Sequence, residues 1–355
     1  MRAASLLRLA DAAEGRNNNF NLIRFLSAIG VIVFHSYALS GQIDLDPITR
    51  LMGTETSGSI GVRAFFVVSG FLVTRSFLTR GALAPFLVAR MLRIYPALIV
   101  ATLFSIGVAA WCSTVPLKPF LSDPLTTQYL LGNSLAWRAQ FLLPGAFTDN
   151  PFPQGVNGSL WTIPVEIRLY LLCAGFGALG LFRNRIVFNI ALVTLIAVFA
   201  WRAELLPIEF RSEIARSLAL EFLGGAWAYV HRERIVLSVF AAGAALAIFV
   251  WNPGGISSSN LMIPAFVYVL LVLAYHPALR FDAFNRLGDY SYGLYLYAFP
   301  IQQTIMFWFR DLGGPGLLAT SLPATLIVAV MSWHGLEKPA LGLKSRAPLI
   351  TRPRQ

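Results

Sequence analysis

The sequence predicts an all-α, polytopic membrane protein with about ten transmembrane helices and both termini in the cytoplasm. Of its 355 residues, 56% are hydrophobic and only 13% are charged, and the mean hydropathy is +0.65. Soluble globular domains carry about twice that share of charged residues. Long apolar runs recur along the whole chain, each wide enough to cross roughly 30 Å of hydrocarbon as a helix. The composition therefore excludes an ordinary soluble enzyme.

The apolar runs define the predicted elements in order. Ten runs approach the length of a spanning helix, and they cover residues 19–40, 60–78, 92–112, 160–181, 186–201, 213–230, 235–251, 260–276, 291–309 and 316–334. Residues 1–18 are predicted as a cytoplasmic leader, because they lack the long apolar core of a signal peptide. Residues 335–355 form a basic cytoplasmic tail. The membrane region is predicted as one domain over residues 19–334.

The charge distribution sets the predicted topology. The formal net charge is +11, which in a soluble chain would suggest a nucleic-acid partner. Here, most of the 28 basic residues fall in the two terminal segments and in the short connections on the side of the amino terminus, as the positive-inside rule requires of cytoplasmic segments. We therefore expect a lipid bilayer and no nucleic acid as partner.

The two cysteines, Cys112 and Cys173, lie in or at the edge of apolar runs and form no spaced cluster. They predict neither a disulfide framework nor a metal site. We expect no metal and no permanently bound cofactor.

The long connection over residues 113–158 is predicted on the outer side. Asp123 followed by Pro124 is typical of a helix N-cap with proline at the first helical position. This pattern predicts a short helix lying on or dipping into the bilayer. We expect the connection to shape an outer binding surface, because no other outer segment is as large.

Arg24 and His35 lie eleven residues apart in the first apolar run. Eleven helical steps of about 100° place both side chains on one face, about 16 Å apart along the axis. Ionisable residues inside a membrane helix are costly and usually functional. A neutral imidazole is a suitable general base for a hydroxyl, although a buried histidine bonded to a neighbouring helix is the structural alternative.

Arg90 and Arg93 share a helical face at the cytoplasmic end of the third run. Two planar guanidinium groups at this spacing can bind phosphates. Arginines that flank a span are also ordinary topology signals and lipid-headgroup partners, and the pattern by itself leaves both interpretations open.

Glu166 opens the fourth span from the outside, at about the same depth as His35. A carboxylate that accepts a hydrogen bond from the imidazole would fix its tautomer and raise its basicity. The alternatives are structural ion pairs of Glu166 with Arg168 or with Arg63. Arg63 places a charge in the second span that has no assigned partner.

Three further segments carry small or polar residues at span ends. The Ser69-Gly70 pair allows close helix approach. The segment from Ser291 to Tyr295 begins the ninth span with interfacial tyrosines. Glu337 lies past the tenth span, where it can pair with an inner arginine.

Together these residues resemble integral-membrane acyltransferase family 3, whose members O-acetylate bacterial surface polysaccharides and related glycoconjugates. The resemblance covers nearly the whole chain. It rests on the Arg24/His35 spacing, Phe65-Phe66 with Ser69-Gly70-Phe71, Arg90-x-x-Arg93, Ser159-Leu-Trp161 with Glu166 and Tyr170, Ser291-Tyr292 with Tyr295, and Glu337-x-Pro339. It implies a bacterial inner-membrane enzyme in which His35 is essential and Arg24, Arg90 and Arg93 serve acyl-coenzyme A.

The resemblance implies an O-acetyltransferase that moves an acyl group, expected to be acetyl, from acyl-coenzyme A to a hydroxyl of an extracytoplasmic or lipid-linked glycan. The donor phosphates would bind the arginines, and the pantetheine arm would run along the stripe between Arg24 and His35. His35, oriented by Glu166, would deprotonate the acceptor. An acyl-histidine intermediate is an equally acceptable variant.

Two other classes of protein remain as alternatives. A secondary transporter or flippase for a glycan or lipid-linked sugar would use intramembrane Arg, His and Glu as coupling sites. The sequence shows neither an internal repeat nor a matched pair of broken helices, which disfavours a transporter. The third alternative is a membrane scaffold in a polysaccharide export complex.

Overall fold

The computed structural model describes residues 7–15, 17–153, 155–250 and 262–345, which are predominantly helical. The α-helices of these ranges are α1 (Leu9–Ala13), α2 (Phe20–Leu39), α3 (Pro47–Met52), α4 (Ser57–Arg80), α5 (Leu83–Trp111), α6 (Leu117–Ser122), α7 (Pro124–Ser134), α8 (Thr162–Ala178), α9 (Arg185–Trp201), α10 (Glu213–Val230), α11 (Val239–Val250), α12 (Ile263–Tyr275), α13 (Ser291–Trp308), α14 (Gly314–Ser332) and α15 (Lys338–Gly342). The prediction of an all-α fold is confirmed for these ranges.

Parts of the predicted elements lie outside the described residues. They are residues 1–6 and 16 of the leader, residue 154 of the long connection, residue 251 of the seventh run, residues 260 and 261 of the eighth run, and residues 346–355 of the tail.

Within the described ranges, five helices are long and apolar enough to cross a membrane. They are α2, α4, α5, the run Gly158–Ala178 that ends with α8, and the run Gly314–Gly342 that begins with α14. Three other predicted spans form shorter apolar helices, α9, α11 and α12. Helix α10 carries several charges and α13 carries two glutamines, which makes both less apolar. The count of ten spans and the orientation of the termini remain predictions.

The helices pack into two compact units. The first unit comprises residues 1–31, 44–78 and 179–291, and the second comprises residues 32–43, 79–178 and 292–355. The division falls within α2, near the end of α4 and at the start of α13.

Aromatic side chains build the core of the first unit. Phe71 of α4 contacts Phe20, Tyr229 and Tyr275, with ring centroids 5.2–5.8 Å apart. The same core buries Leu9 of α1 completely. The described part of the predicted leader therefore packs into the first unit.

Glycines bring α4 close to α10 in this unit. A methyl group on Gly70 would overlap the backbone carbonyl oxygen of Phe222, and one on Gly225 would overlap that of Val67. The close approach predicted at Gly70 is confirmed, and here only a residue without a side chain fits.

Arg63 obtains two carboxylate partners in the first unit. Its Nη1 donates to Glu55 at 2.5 Å, and its Nε donates to Glu221 at 2.6 Å. The rings of Phe249 and Phe266 lie 5.6 and 5.0 Å from the guanidinium carbon. All three charged side chains are buried. Arg63 thereby joins α4 to α10, α11 and α12. Removal of one partner would leave a buried charge uncompensated and would destabilise the unit.

The long connection of the second unit is folded. Helix α7 begins after Asp123, whose carboxylate accepts the N–H of Leu125 at 2.8 Å, so the predicted helix start is confirmed. Phe120 and Tyr129 are fully buried in an apolar cluster that this connection shares with the end of α5.

Helix α13 holds the last part of the same connection. The amide of Gln303 donates to the backbone carbonyls of Phe152 and Gly155 at 2.9 and 2.6 Å. The amide of Asn157 donates to the carbonyl of Leu296 at 2.9 Å. These bonds fix the approach to α8.

We predict that Gly70→Ala lowers the midpoint of thermal unfolding of the protein in detergent. The added methyl group meets backbone that no side-chain rotation can move, and overpacking of this kind costs about 1–3 kcal/mol. Gly243→Ala in α11 is the matched control, because no atom lies within 4 Å of its added Cβ and alanine favours a helix. Equal midpoints for Gly70→Ala and the wild type would contradict the close packing.

Candidate active site

Arg24 lies near the start of α2, in the first unit. Its guanidinium forms an ion pair with Asp289, and each side chain is about one-fifth exposed. The other oxygen of Asp289 accepts the hydroxyl of Ser291 at 2.6 Å. Two predicted site residues thus meet on an aspartate that sequence reasoning missed. The sequence signal that could have identified Asp289 is its position directly before an apolar span, on the same predicted side of the membrane as Arg24.

His35 lies near the end of α2, in the second unit. Its ring contacts the rings of Phe34 and Phe299, with centroid distances of 5.4 and 4.9 Å. The Nδ1 atom is buried and has no hydrogen-bond partner among the described residues. Buried polar nitrogens in native proteins nearly always have a hydrogen-bond partner. We therefore interpret the unpaired Nδ1 as a position where a ligand binds.

The predicted contact of Glu166 with His35 stays a prediction. The carboxylate of Glu166 accepts the hydroxyl of Tyr170, four residues on in α8, because positions four apart face the same side of a helix. The Tyr170 ring lies 5.7 Å from the guanidinium carbon of Arg90. Tyr170 thereby lies next to both Glu166 and Arg90.

Phe299 connects His35 to the turn that precedes α8. A methyl group on Gly158 would lie 2.6 Å from a carbon of the Phe299 ring, so the glycine permits this contact. One turn earlier in α13, the hydroxyl of Tyr295 donates to the carbonyl of Ser159 at 2.8 Å. Helix α13 therefore sets the position of both the turn and the histidine ring.

Ser159 has a fixed backbone and an unpaired hydroxyl. Its N–H donates to Asn157 at 3.2 Å, while its buried Oγ finds no partner in the described ranges. Trp161 ends the turn and is partly exposed. The turn thus presents a second buried polar atom that is open to a ligand.

Arg90 lies inside α5, which begins at Leu83, nine residues before the predicted start of this span. Its guanidinium carbon lies 6.0 Å from the centroid of the Phe86 ring and 5.7 Å from the centroid of the Tyr170 ring. It forms no ion pair with a described residue, and its buried Nε has no hydrogen-bond partner there. A partly buried guanidinium without a carboxylate is a good site for an anionic ligand.

Arg93, three residues further along α5, has a carboxylate partner. Its Nη1 lies 3.4 Å from Glu337, and the Tyr292 ring lies 5.5 Å from its guanidinium carbon. The predicted pairing of Glu337 with an arginine is confirmed. Sequence reasoning missed Tyr292 as a neighbour of this arginine.

Glu337 is buried at the end of a single π-helical turn, Trp333–Glu337, between α14 and α15. It also accepts the hydroxyl of Ser332 at 3.1 Å. Turns of this type are rare and frequent at functional sites. Here the turn aims a carboxylate at Arg93.

The predicted site residues divide between the two units. The first unit contains Arg24, Ser69 and Ser291, and the second contains His35, Arg90, Arg93, Trp161, Glu166, Tyr170, Tyr295 and Glu337. Arg24 is paired with Asp289, and its predicted place in one phosphate site with Arg90 and Arg93 remains a prediction.

The fold and these side chains define a helical membrane protein with a histidine and an arginine left open inside apolar helices. Residues 17–334 match the family model of the acyltransferase 3 domain, described as an acyltransferase domain. The chain belongs to acyltransferase family 3, and it is an acyltransferase.

Two curated proteins are similar over nearly their full length. An O-acetyl transferase of Shigella phage Sf6 is 27% identical over 347 residues, which covers 91% of this chain and 96% of the relative. Nodulation protein 10 of Rhizobium leguminosarum bv. viciae is 29% identical over 372 residues, covering 96% and 97%. No solved structure matches the chain. The family and the first relative support the prediction of an acyltransferase of the O-acetyltransferase type.

We predict that Asp289→Asn raises the KM for acetyl-coenzyme A about tenfold, because the ion pair with Asp289 holds the guanidinium of Arg24, an expected donor contact, in position. One charge-assisted hydrogen bond is worth about 1.5–3 kcal/mol, and about 1.4 kcal/mol corresponds to tenfold in affinity. Asp282→Asn is the control, since Asp282 forms a more exposed pair with Arg280 in the same connection. An unchanged KM in Asp289→Asn would show that the pair does not serve the donor.

Proposed function

We propose that this protein is an O-acetyltransferase of the bacterial inner membrane that uses acetyl-coenzyme A to acetylate a hydroxyl of an extracytoplasmic or lipid-linked glycan. One observation carries the proposal. Three buried polar atoms without a partner among the described residues, His35 Nδ1, Arg90 Nε and Ser159 Oγ, belong to predicted motif residues of the second unit. Native proteins leave few such atoms unpaired, so substrates are their natural partners.

Arg90 and Arg93 bind the donor phosphates. A planar guanidinium binds phosphate through two parallel hydrogen bonds, and Arg90 has no carboxylate in the described residues that competes for it. The rings of Phe86 and Tyr170 hold its guanidinium in place. Glu166 fixes Tyr170 and so positions Arg90.

His35 is the general base. Its imidazole accepts the proton of the acceptor hydroxyl, and the oxygen attacks the thioester carbonyl. The new C–O bond forms, the C–S bond breaks, and coenzyme A leaves as a thiolate that takes the proton from the imidazolium. The imidazole is neutral again at the end of the cycle. We assign proton transfer to Nδ1, the ring nitrogen that has no hydrogen-bond partner among the described residues.

The choice of acetyl is supported by the relative named O-acetyl transferase, and the glycan acceptor follows from the resemblance of the sequence motifs. The long connection over residues 113–158 shapes the acceptor side. Its own apolar cluster and its hydrogen bonds to α13 support this role, since a binding surface needs a rigid support.

We predict that His35→Ala lowers acceptor-dependent release of coenzyme A by about 10²–10⁴-fold, the usual contribution of a general base. The assay uses purified protein in detergent with acetyl-coenzyme A and an extract of cell-envelope glycans. His276→Ala, a partly exposed histidine of the first unit, is the control and keeps wild-type release.

Wild-type release by His35→Ala would exclude this histidine as the base. No release by the wild-type protein would instead favour the transporter or the scaffold.

A further inference from the structure

Lys344 is a fourth cation beside Arg80, Arg90 and Arg93 in the second unit. It lies in the helical turn Leu343–Ser345, and this turn and the preceding α15 pack against α5. Its side chain is partly buried. Burial and the repulsion of Arg90, Arg93 and Arg80 lower the pKa of Lys344 to about 8, in keeping with the packing of its turn against the helix that carries Arg90 and Arg93.

Arg80, Arg90, Arg93 and Lys344 form a cluster of four cations. Among the described residues, neither Arg90 nor Lys344 forms an ion pair. The nearby Glu337 is engaged by Arg93 and Ser332. Like charges held partly out of water repel one another strongly, so an arrangement of this kind is stable when an anion binds between them.

We propose that Lys344 and Arg80 bind the 3′-phosphate of coenzyme A, while Arg90 and Arg93 bind its diphosphate. The inference rests on the proposed function and adds to it two residues and a selectivity for the 3′-phosphate. Coenzyme A carries a diphosphate and a phosphate monoester, about four negative charges at neutral pH. Four cations match this charge.

The order of the cations along the cluster fits the order of the phosphates. Arg90 and Arg93 lie within α5, against the aromatic rings of Tyr170 and Tyr292. Arg80 is exposed at the end of α4, and Lys344 lies in the turn after α15. The 3′-phosphate is at the adenosine end of the donor, farthest from the thioester, and so belongs with the outer cations.

The headgroup of an anionic lipid offers the same phosphate chemistry. A phosphatidylglycerol headgroup, however, carries one phosphodiester with a single charge, whereas the cluster has two cations without an ion pair. Coenzyme A therefore compensates more of the positive charge of the cluster than the lipid headgroup does. Binding measurements with coenzyme A and with its 3′-dephospho form distinguish the two ligands.

The test measures binding of coenzyme A and of 3′-dephospho-coenzyme A to the full-length protein in neutral detergent by calorimetry. Lys344→Gln is expected to lower the affinity for coenzyme A about tenfold, the effect of losing one charge-assisted contact. Its affinity for 3′-dephospho-coenzyme A is expected to stay within about twofold of the wild-type value. Lys344→Arg keeps the charge and is expected to keep the wild-type affinity. Lys338→Gln, an exposed lysine of α15, is the matched control.

Equal weakening of both ligands, or no weakening of either, would overturn the assignment of Lys344 to the 3′-phosphate. Unchanged affinities together with weaker binding of phosphatidylglycerol would assign the cluster to lipid and likewise overturn it. In these cases the proposed acetyl transfer still stands if the wild-type protein binds coenzyme A. Absence of binding of either ligand to the wild-type protein would overturn both proposals.

Discussion

A guanidinium among apolar helices needs a counter-charge, and the rest of this structure depends on how that need is met. The cost of an unpaired charge in such surroundings is high. Arg24 is paired with Asp289, Arg63 with Glu55 and Glu221, and Arg93 with Glu337. Arg90 has aromatic neighbours in place of a carboxylate. We propose that a ligand supplies the missing charge at Arg90.

The paired arginines also have structural consequences. Arg63 joins four helices of the first unit through two carboxylates and two rings. Arg93 and Glu337 join α5 to the π-helical turn after α14. An ion pair in apolar surroundings is strongly destabilised by loss of one partner, so such pairs favour one arrangement of the helices. A fixed arrangement is what an active site built from several helices requires.

The sequence was sufficient to predict structural features that depend on residues close to one another along the chain. The long apolar helices, the start of α7 after Asp123 and the close approach at Gly70 follow from hydropathy, capping and residue size, and the structure confirms them. Helices α11 and α12 are shorter than the apolar runs that predicted them, because hydropathy does not mark where a helix ends.

The partners of the site residues were harder to predict. Glu166 and His35 were assigned equal depth, but depth along two helices does not fix which faces meet. The carboxylate of Glu166 bonds within its own helix to Tyr170. Asp289 was missed because its role depends on a residue 265 positions away in sequence. These contacts belong to tertiary packing, which a single sequence does not encode as a local pattern.

The central claim is that the donor supplies the counter-charge of Arg90, and the affinity of Arg90→Gln for coenzyme A tests it most directly. Calorimetry on the detergent-solubilised protein should show a dissociation constant at least about tenfold higher than in the wild type. Arg202→Gln, which removes a cation from an exposed pair with Glu204, should bind as the wild type does. Equal affinities of Arg90→Gln and the wild-type protein would contradict the account.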